Sequence, residues 1–210
     1  MKILSLMLVA VGLPLGSFAA NITTLYNTGV SSTGALLGVG SIDPHYTDTA
    51  AGHSVFVLSK NPAWVSPGVA ANYIAPDAST GASFGGFYTL DYVTSFDLTG
   101  FDPSTVSITG LWSTDNFGNN IFVNGNSTGN SNSGFGSLKS FTLSGASGFF
   151  NSGINTLDFQ WGNSGGPGGL AIIFSSATAG VPEPATMTLF GAGIATLIIA
   201  SRRKRSRQQI

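Results

Sequence analysis

A serine set between two glycines is the first candidate for catalytic chemistry in this sequence. The Gly-Ala-Ser-Phe-Gly run at residues 81–85 matches the nucleophile elbow of hydrolases, in which a sharp turn exposes a reactive hydroxyl. That elbow needs a strand before it and a helix after it, whereas Ser83 follows a polar loop and precedes a predicted strand. Both histidines, His45 and His53, lie upstream, opposite to the Ser, Asp, His order of that fold. The sequence therefore predicts no catalytic residue, and a secreted hydrolase remains an alternative only.

Two groups of side chains have the chemistry of metal ligands. Asp43-Pro44-His45 and His53 have acid, base and imidazole groups, but we predict that the first three form a turn at the start of a domain, with His45 half-buried. Asp115, Asn116 and Asn119 offer oxygen atoms of the kind that calcium binds, without the spacing of an EF-hand loop. They are predicted as turn residues, with a calcium site as the alternative.

Three aromatic residues in loop-like sequence are candidates for carbohydrate contact, because sugars stack on ring faces. These residues are Trp64, Tyr73 and Phe117. The competing interpretation is that each ring fills the core beneath a loop. Exposure of the rings decides between the two.

The charge and cysteine content limit the classes of partner. Between Ala20 and Val181 the chain has two lysines against eight aspartates, and therefore a net charge of −6. Such an acidic region is unsuited to nucleic acid or to another polyanion, so a polymer partner would be neutral or bridged by a divalent cation. The chain has no cysteine, which excludes disulfides, a thiol nucleophile and a cysteine-ligated zinc site.

The two ends of the chain have the composition of export and membrane signals. Lys2, the apolar run at 3–15 and the small-residue end at 16–20 predict a signal peptide over residues 1–19. Residues 20–180 are then long enough for one ectodomain with its own core.

Short runs of alternating apolar residues, separated by Gly, Ser, Thr and Asn, predict an all-β ectodomain, an antiparallel β-sandwich or jelly roll. The predicted strands are residues 54–58, 86–96, 105–112, 119–123, 140–143, 155–161 and 169–175. Asn124-Gly125 is a turn dipeptide, and residues 126–136 are predicted to be a long mobile loop. The predicted core residues are Trp112, Phe122, Phe141, Leu157, Phe159 and Ile172.

The tail, residues 181–210, combines a short polar motif, an uncharged span and a basic end. Residues 185–201 form a span of roughly 25 Å as a helix, slightly short of a bilayer core of about 30 Å. The basic cluster at 202–207 should remain in the cytoplasm, which places the ectodomain outside; it consists of Arg202, Arg203, Lys204, Arg205 and Arg207. Pro182 and Pro184 keep Glu183 in an extended stretch beside the membrane.

This tail resembles the PEP-CTERM sorting signal of Gram-negative bacteria. The motif covers residues 181–186, with Val181, Pro182, Glu183, Pro184 and Ala185 as its signature. The resemblance implies an exported protein, anchored in the inner membrane with its ectodomain in the periplasm. It implies processing by an exosortase and final placement at the cell surface or outside the cell, in organisms that make extracellular polysaccharide.

A second resemblance covers roughly residues 43–175. The order of short motifs, including Phe-Asp-Leu-Thr-Gly-Phe-Asp-Pro at 96–103 and Thr-Gly-Leu-Trp-Ser-Thr-Asp-Asn at 109–116, is similar to galactose-binding-like jelly-roll ectodomains. Such a fold does not by itself imply sugar binding. We therefore expect a non-catalytic surface or matrix protein, associated with exopolysaccharide or biofilm, with a calcium-dependent carbohydrate-binding module as the alternative.

Overall fold

The computed structural model describes residues 17–49, 53–78 and 88–182, together with Gly193 and Thr196. These residues form a curled antiparallel sheet, which confirms the predicted all-β sandwich. Its strands are β1 (Ser17–Asn21), β2 (Ile42–Asp48), β3 (His53–Val57), β4 (Ile74–Ala75), β5 (Tyr88–Asp97), β6 (Asp102–Asp115), β7 (Phe117–Val123), β8 (Asn126–Ser127), β9 (Lys139–Ser144), β10 (Ile154–Asn163) and β11 (Gly169–Pro182). A short 3-10 helix at Gly145–Ser147 follows β9.

The strands pair in the order β8-β7-β10-β5-β2-β3-β4-β11-β6-β9, and β1 pairs with β11. Strands β6 and β10 are well separated along this path, yet their rings meet. Trp112 of β6 and Phe141 of β9 have ring centroids 6.0 and 5.8 Å from that of Phe159 on β10. The sheet therefore folds back on itself into two layers, and its two terminal strands, β8 and β9, lie on either side of a seam.

The core lies between the layers and follows the period-two alternation of strands. Tyr92 and Phe96 of β5 point inward and are buried, whereas Thr89 and Ser95 on the opposite face are exposed. Each large apolar side chain buried here contributes about 1.5–3 kcal/mol. Among the predicted core residues, burial is confirmed for Trp112, Phe141, Leu157, Phe159 and Ile172.

The prediction for Phe122 was wrong. Ile121 and Val123 of β7 are the buried residues, while Phe122 is only partly buried. In register, Phe122 lies opposite Asp158 of β10, on the outer face of the sheet. A strand as short as β7 gives little information about which of its faces turns inward, because Phe122 and its two neighbours are all apolar.

The seven predicted strands correspond to β3, β5, β6, β7, β9, β10 and β11. The prediction of a turn at residues 43–45 was wrong, since these residues lie in β2. The pairing of β2 with β3 shifts register between Ile42 and Thr47, and Pro44, which has no N–H to donate, lies in this irregular stretch. Asp43 and Pro44 are turn-forming residue types, so the sequence predicted a turn where the structure has a strand.

The Asn124-Gly125 turn is confirmed. Both residues have positive φ, 49° and 79°, as the tight hairpin joining β7 to β8 requires. The stretch after it differs from the predicted mobile loop, because it is hydrogen-bonded to the sandwich. Asn132 exchanges two backbone hydrogen bonds with Gly118 and donates its side-chain amide to the Trp112 carbonyl over 2.8 Å.

Residues Ala19–Gly180 form one compact unit, and the two chain ends are grouped separately. The predicted signal peptide lies outside the described residues up to residue 16. The predicted membrane helix at 185–201 also lies outside them, apart from Gly193 and Thr196. Among the residues that the structure describes, no helix is long and apolar enough to cross a membrane.

Candidate functional site

Several residues predicted for carbohydrate or calcium meet where β6 ends and β11 begins, which we call the Asp115 end. Asp115 is the last residue of β6 and pairs with Gly169, the first residue of β11. The loop that contains Trp64 covers the outer face of these two strands and forms a satellite core with Tyr73 and Ala171. The sheet thus brings together residues that are about 100 positions apart in the sequence.

The carboxylate of Asp115 is buried, with 5 % of the residue exposed. Its Oδ2 accepts a hydrogen bond from Nε1 of Trp64 over 2.6 Å, while its Oδ1 has no partner among the described residues. Burial raises the pKa of Asp115, and the hydrogen bond from Trp64 offsets part of that rise. This arrangement uses the carboxylate to hold the Trp64 loop on the sheet.

Trp64 and Tyr73 are buried, with 3 % and 1 % of each residue exposed. Their ring centroids are 4.6 Å apart, and both rings lie against Gly169, where an added Cβ would lie 3.0 Å from the indole. The Tyr73 hydroxyl lies 3.0 Å from that of Ser113, and burial raises the pKa of Tyr73. The prediction that these two rings contact carbohydrate was therefore wrong: both fill the core beneath a loop and have no free face for a sugar.

Phe117 is the one predicted aromatic contact that remains partly exposed. Its ring packs on Gly162, where an added Cβ would lie 2.5 Å from Cε2. Because Gly162 has no side chain, the Phe117 ring can lie against it at the surface. Carbohydrate contact by Phe117 stays a prediction.

The three residues predicted for calcium differ in their surroundings. Oδ1 of Asn116 accepts hydrogen bonds from the backbone N–H and the hydroxyl of Ser164, over 2.7 and 3.0 Å. Asn119 is exposed on β7, and Asp115 is held by Trp64. Within the described ranges no group of three or more His, Cys, Asp or Glu side chains is placed to hold a metal. A calcium site here would depend on Oδ1 of Asp115 and on Asn116 releasing Ser164.

A second buried carboxylate, Asp43, connects two loops. It accepts backbone hydrogen bonds from Gly29 at 2.6 Å and from His45 at 2.8 Å. Burial raises its pKa, although these hydrogen bonds and the nearby His45 act in the opposite direction. The His45 ring stacks on Tyr26 with centroids 3.8 Å apart, and His45 is half-buried as predicted. Only the backbone of His53 is described, in β3, and Ser83 lies outside the described residues.

Two of the surface clefts lined by described residues are large enough for a ligand. The first, of about 520 Å³, lies between residues 21–34 and β11. Asn27 on its wall uses its amide in the fold, because its oxygen accepts from the backbone of Phe174 and its nitrogen donates to that of Ala70.

The second cleft, of about 390 Å³, lies at the seam between β8 and β9, and we call it the seam cleft. Its hydroxyl-bearing residues are Ser127, Thr128, Thr142, Ser144 and Ser147. Sequence reasoning missed them, since serine and threonine occur throughout the chain and only the curl of the sheet brings these together.

The sorting residues lie at the end of β11. Gly180 still pairs with Asp102 and donates its N–H to the hydroxyl of Thr105 over 2.7 Å. Val181 and Pro182 complete the strand and are exposed. Glu183, Pro184, Ala185 and the basic cluster at 202–207 lie outside the described residues.

Comparison with known families identifies a match at the C-terminal end of the chain. Residues 180–205 match the family model described as the PEP-CTERM protein-sorting motif. No curated protein matches the chain.

Proposed function

From the PEP-CTERM sorting motif at residues 180–205, we propose that this chain is a non-catalytic protein of the cell surface or extracellular matrix, associated with exopolysaccharide. The motif marks the chain as an exported protein that is sorted to the cell envelope and processed by an exosortase. The proposal adds to this a signal peptide over residues 1–19, a temporary membrane helix at 185–201 and a cytoplasmic basic end. It also adds a role in the matrix or biofilm.

The proposal rests on one observation: the last strand of the sandwich, β11, continues directly into the sorting motif. β11 ends at Pro182, and Glu183 follows it directly in the sequence. The chain therefore has no linker residue between the strand and Glu183. Processing would therefore take place beside the folded domain and would release it whole.

The distribution of carboxylates supports a structural role and a neutral partner. Asp43 and Asp115 accept hydrogen bonds from loop residues, and Asp48 is buried with 3 % exposed. These are three of the eight aspartates of the ectodomain, and the exposed residues among those described are mostly Ser, Thr, Asn and Gly. Neutral hydroxyl and amide surfaces suit an uncharged polysaccharide better than a charged polymer.

The test is the intact mass of the mature protein from the native host, measured in the culture medium, the matrix and the membrane fraction. We expect a species in the medium or matrix that lacks residues 1–19 and ends near Val181. A chain found solely in the membrane with its basic end still attached would overturn the proposal.

A calcium-dependent carbohydrate-binding module is a second candidate, favoured by the unpartnered Oδ1 of buried Asp115. A bound cation would give this oxygen a partner and would stabilise the folded state by mass action. We expect a rise in Tm in millimolar calcium over chelator, absent in Asp115→Asn. Identical melting in both conditions would remove this candidate.

A further inference from the structure

The seam cleft has the chemistry of a site for a neutral sugar. Its volume of about 390 Å³ lies within the range of roughly 300–1,000 Å³ typical of small-molecule sites. Its walls are the two terminal strands of the sheet, β8 and β9, and the 3-10 helix that follows β9. Among the described residues that line it, none is charged.

The hydroxyls of the cleft retain hydrogen-bonding capacity. Three of them act as acceptors in the fold: Ser127 from Asn120, Ser144 from the N–H of Ala146, and Ser147 from the N–H of Phe149. Each therefore keeps its own O–H free to donate.

The hydroxyl of Thr142 makes no hydrogen bond to a described residue, and Thr142 is exposed on β9. Thr128 differs, since its O–H donates to the Ile121 carbonyl over 2.6 Å. Four uncommitted donors along one cleft suit a ligand rich in neutral oxygen acceptors.

An aromatic ring and an apolar floor accompany these hydroxyls. Phe149 is partly exposed at the cleft, and Leu143 and Phe150 are buried beneath it. Asn124 donates its side-chain amide to the Phe149 carbonyl over 2.8 Å, and the N–H of Phe149 donates to Ser147 over 3.2 Å. The backbone of this residue is thus held on both sides, so little ordering would be needed when a ligand binds.

We propose that the seam cleft binds a sugar unit of a neutral polysaccharide, through the hydroxyls of Ser127, Thr142, Ser144 and Ser147 and the ring of Phe149. This inference rests on the proposed association with exopolysaccharide and assigns it a place on the molecule. The absence of charge among the described lining residues selects a neutral polymer over an acidic one. Among the described residues, no further strand pairs with the outer edges of β8 and β9, so these edges also offer backbone groups to the hydroxyls of the same sugar.

The test is affinity electrophoresis of the processed protein, or of the full-length chain in a polyoxyethylene detergent that contains no sugar. The gels contain dextran, galactomannan or, as a charged control, dextran sulfate. The variant Thr142→Val with Ser147→Ala removes two hydroxyls of the cleft. Its matched control is Thr89→Val with Ser95→Ala, two exposed hydroxyls on β5. Thermal melting establishes that both variants are folded.

We expect retardation by at least one neutral polysaccharide and none specific to dextran sulfate. The cleft variant should bind about tenfold more weakly, the loss expected for two neutral hydrogen bonds, and the control variant should bind as the unaltered protein does. Equal binding by the cleft variant would overturn the assignment of the cleft.

Failure of the unaltered protein to bind either neutral polysaccharide would also overturn it, as would sedimentation as a dimer paired through the seam. The proposed function is tested separately, by the mass and the fraction of the processed chain. Release into the matrix without binding in the cleft would therefore leave that proposal standing.

Discussion

The indole Nε1 of Trp64 donates a hydrogen bond of 2.6 Å to the carboxylate Oδ2 of Asp115, 51 positions further along the chain. Both residues are buried, and the pair attaches the loop around Trp64 to the end of β6. Because the other oxygen of Asp115 has no partner among the described residues, the stability of the folded state depends strongly on the hydrogen bond from Trp64.

Replacing Trp64 by Phe is therefore expected to lower the free energy of unfolding by about 1–3 kcal/mol beyond the loss of ring packing, because the buried carboxylate loses its donor. Urea unfolding at neutral pH measures the effect. The matched control is Trp112→Phe, since the buried Nε1 of Trp112 has no hydrogen-bond partner among the described residues. An equal cost in the two variants, after allowance for packing, would show that the Trp64–Asp115 bond contributes nothing to stability.

Gly118 is expected to tolerate no side chain. A Cβ at this position would overlap the ring of Trp112 and lie 2.6 Å from its Cζ3, and Trp112 is fully buried. We expect Gly118→Ala to destabilise the protein by about 1–3 kcal/mol.

The matched control for this substitution is Gly136→Ala, which meets nothing within 4 Å and requires no positive φ. It should change stability by less than about 0.5 kcal/mol. Thermal or urea unfolding of both variants distinguishes crowding from a general effect of alanine, and equal stabilities would contradict the close packing of Gly118 on Trp112.

Asp158 is expected to make stability depend on pH. Burial, assisted by the nearby charge of Asp91, raises the pKa of Asp158 to about 7, and its cross-strand neighbours are Val93 and Phe122. Because the folded state holds the proton more tightly than the unfolded one, stability is full below about pH 4 and declines as the pH rises to 7. Solvent screening of this partly exposed group limits the loss to the order of 1 kcal/mol.

Asp158→Asn should remove this decline, so that the variant gains stability over the unaltered protein above pH 7 but not at pH 4. Asp97→Asn is the control of opposite sign. Hydrogen bonds from Thr99 lower the pKa of Asp97, so its contribution is present above pH 4 and lost in acid. Unfolding curves between pH 3 and pH 8 measure both, and parallel profiles for all three proteins would refute the prediction.

Replacing Pro182-Glu183-Pro184 by three alanines should leave export intact and retain the full-length chain in the membrane, because the recognition motif is lost while the predicted membrane helix remains. Immunoblotting of membrane and medium fractions, with intact mass, measures the result. Thr188→Ala, in the tail but outside the Pro-Glu-Pro signature at residues 181–185, is the control and should be processed normally. Unchanged release of the triple-alanine chain would contradict recognition through Glu183 and its prolines.

The sequence alone determined the sorting tail and the β class of the ectodomain. A sorting motif is a contiguous stretch, so residues 180–205 carry it without any help from the fold. Alternation of apolar and polar residues is likewise local, which is why strands such as β5 and β10 could be predicted closely. The pairing partners of those strands could not be predicted, since pairing joins residues far apart in the chain.

Only the tertiary structure decided which side chains are available to a ligand. Trp64 lies in loop-like sequence, yet it is buried because it donates a hydrogen bond to Asp115 and packs on Gly169. These two residues belong to strands that are distant from Trp64 in the sequence. The face of Phe122 depends on register, and a shift of one residue exchanges the inner and outer faces of a strand. The seam cleft exists because the first and last strands of the sheet order meet, which is a property of the curled sheet and of no segment within it.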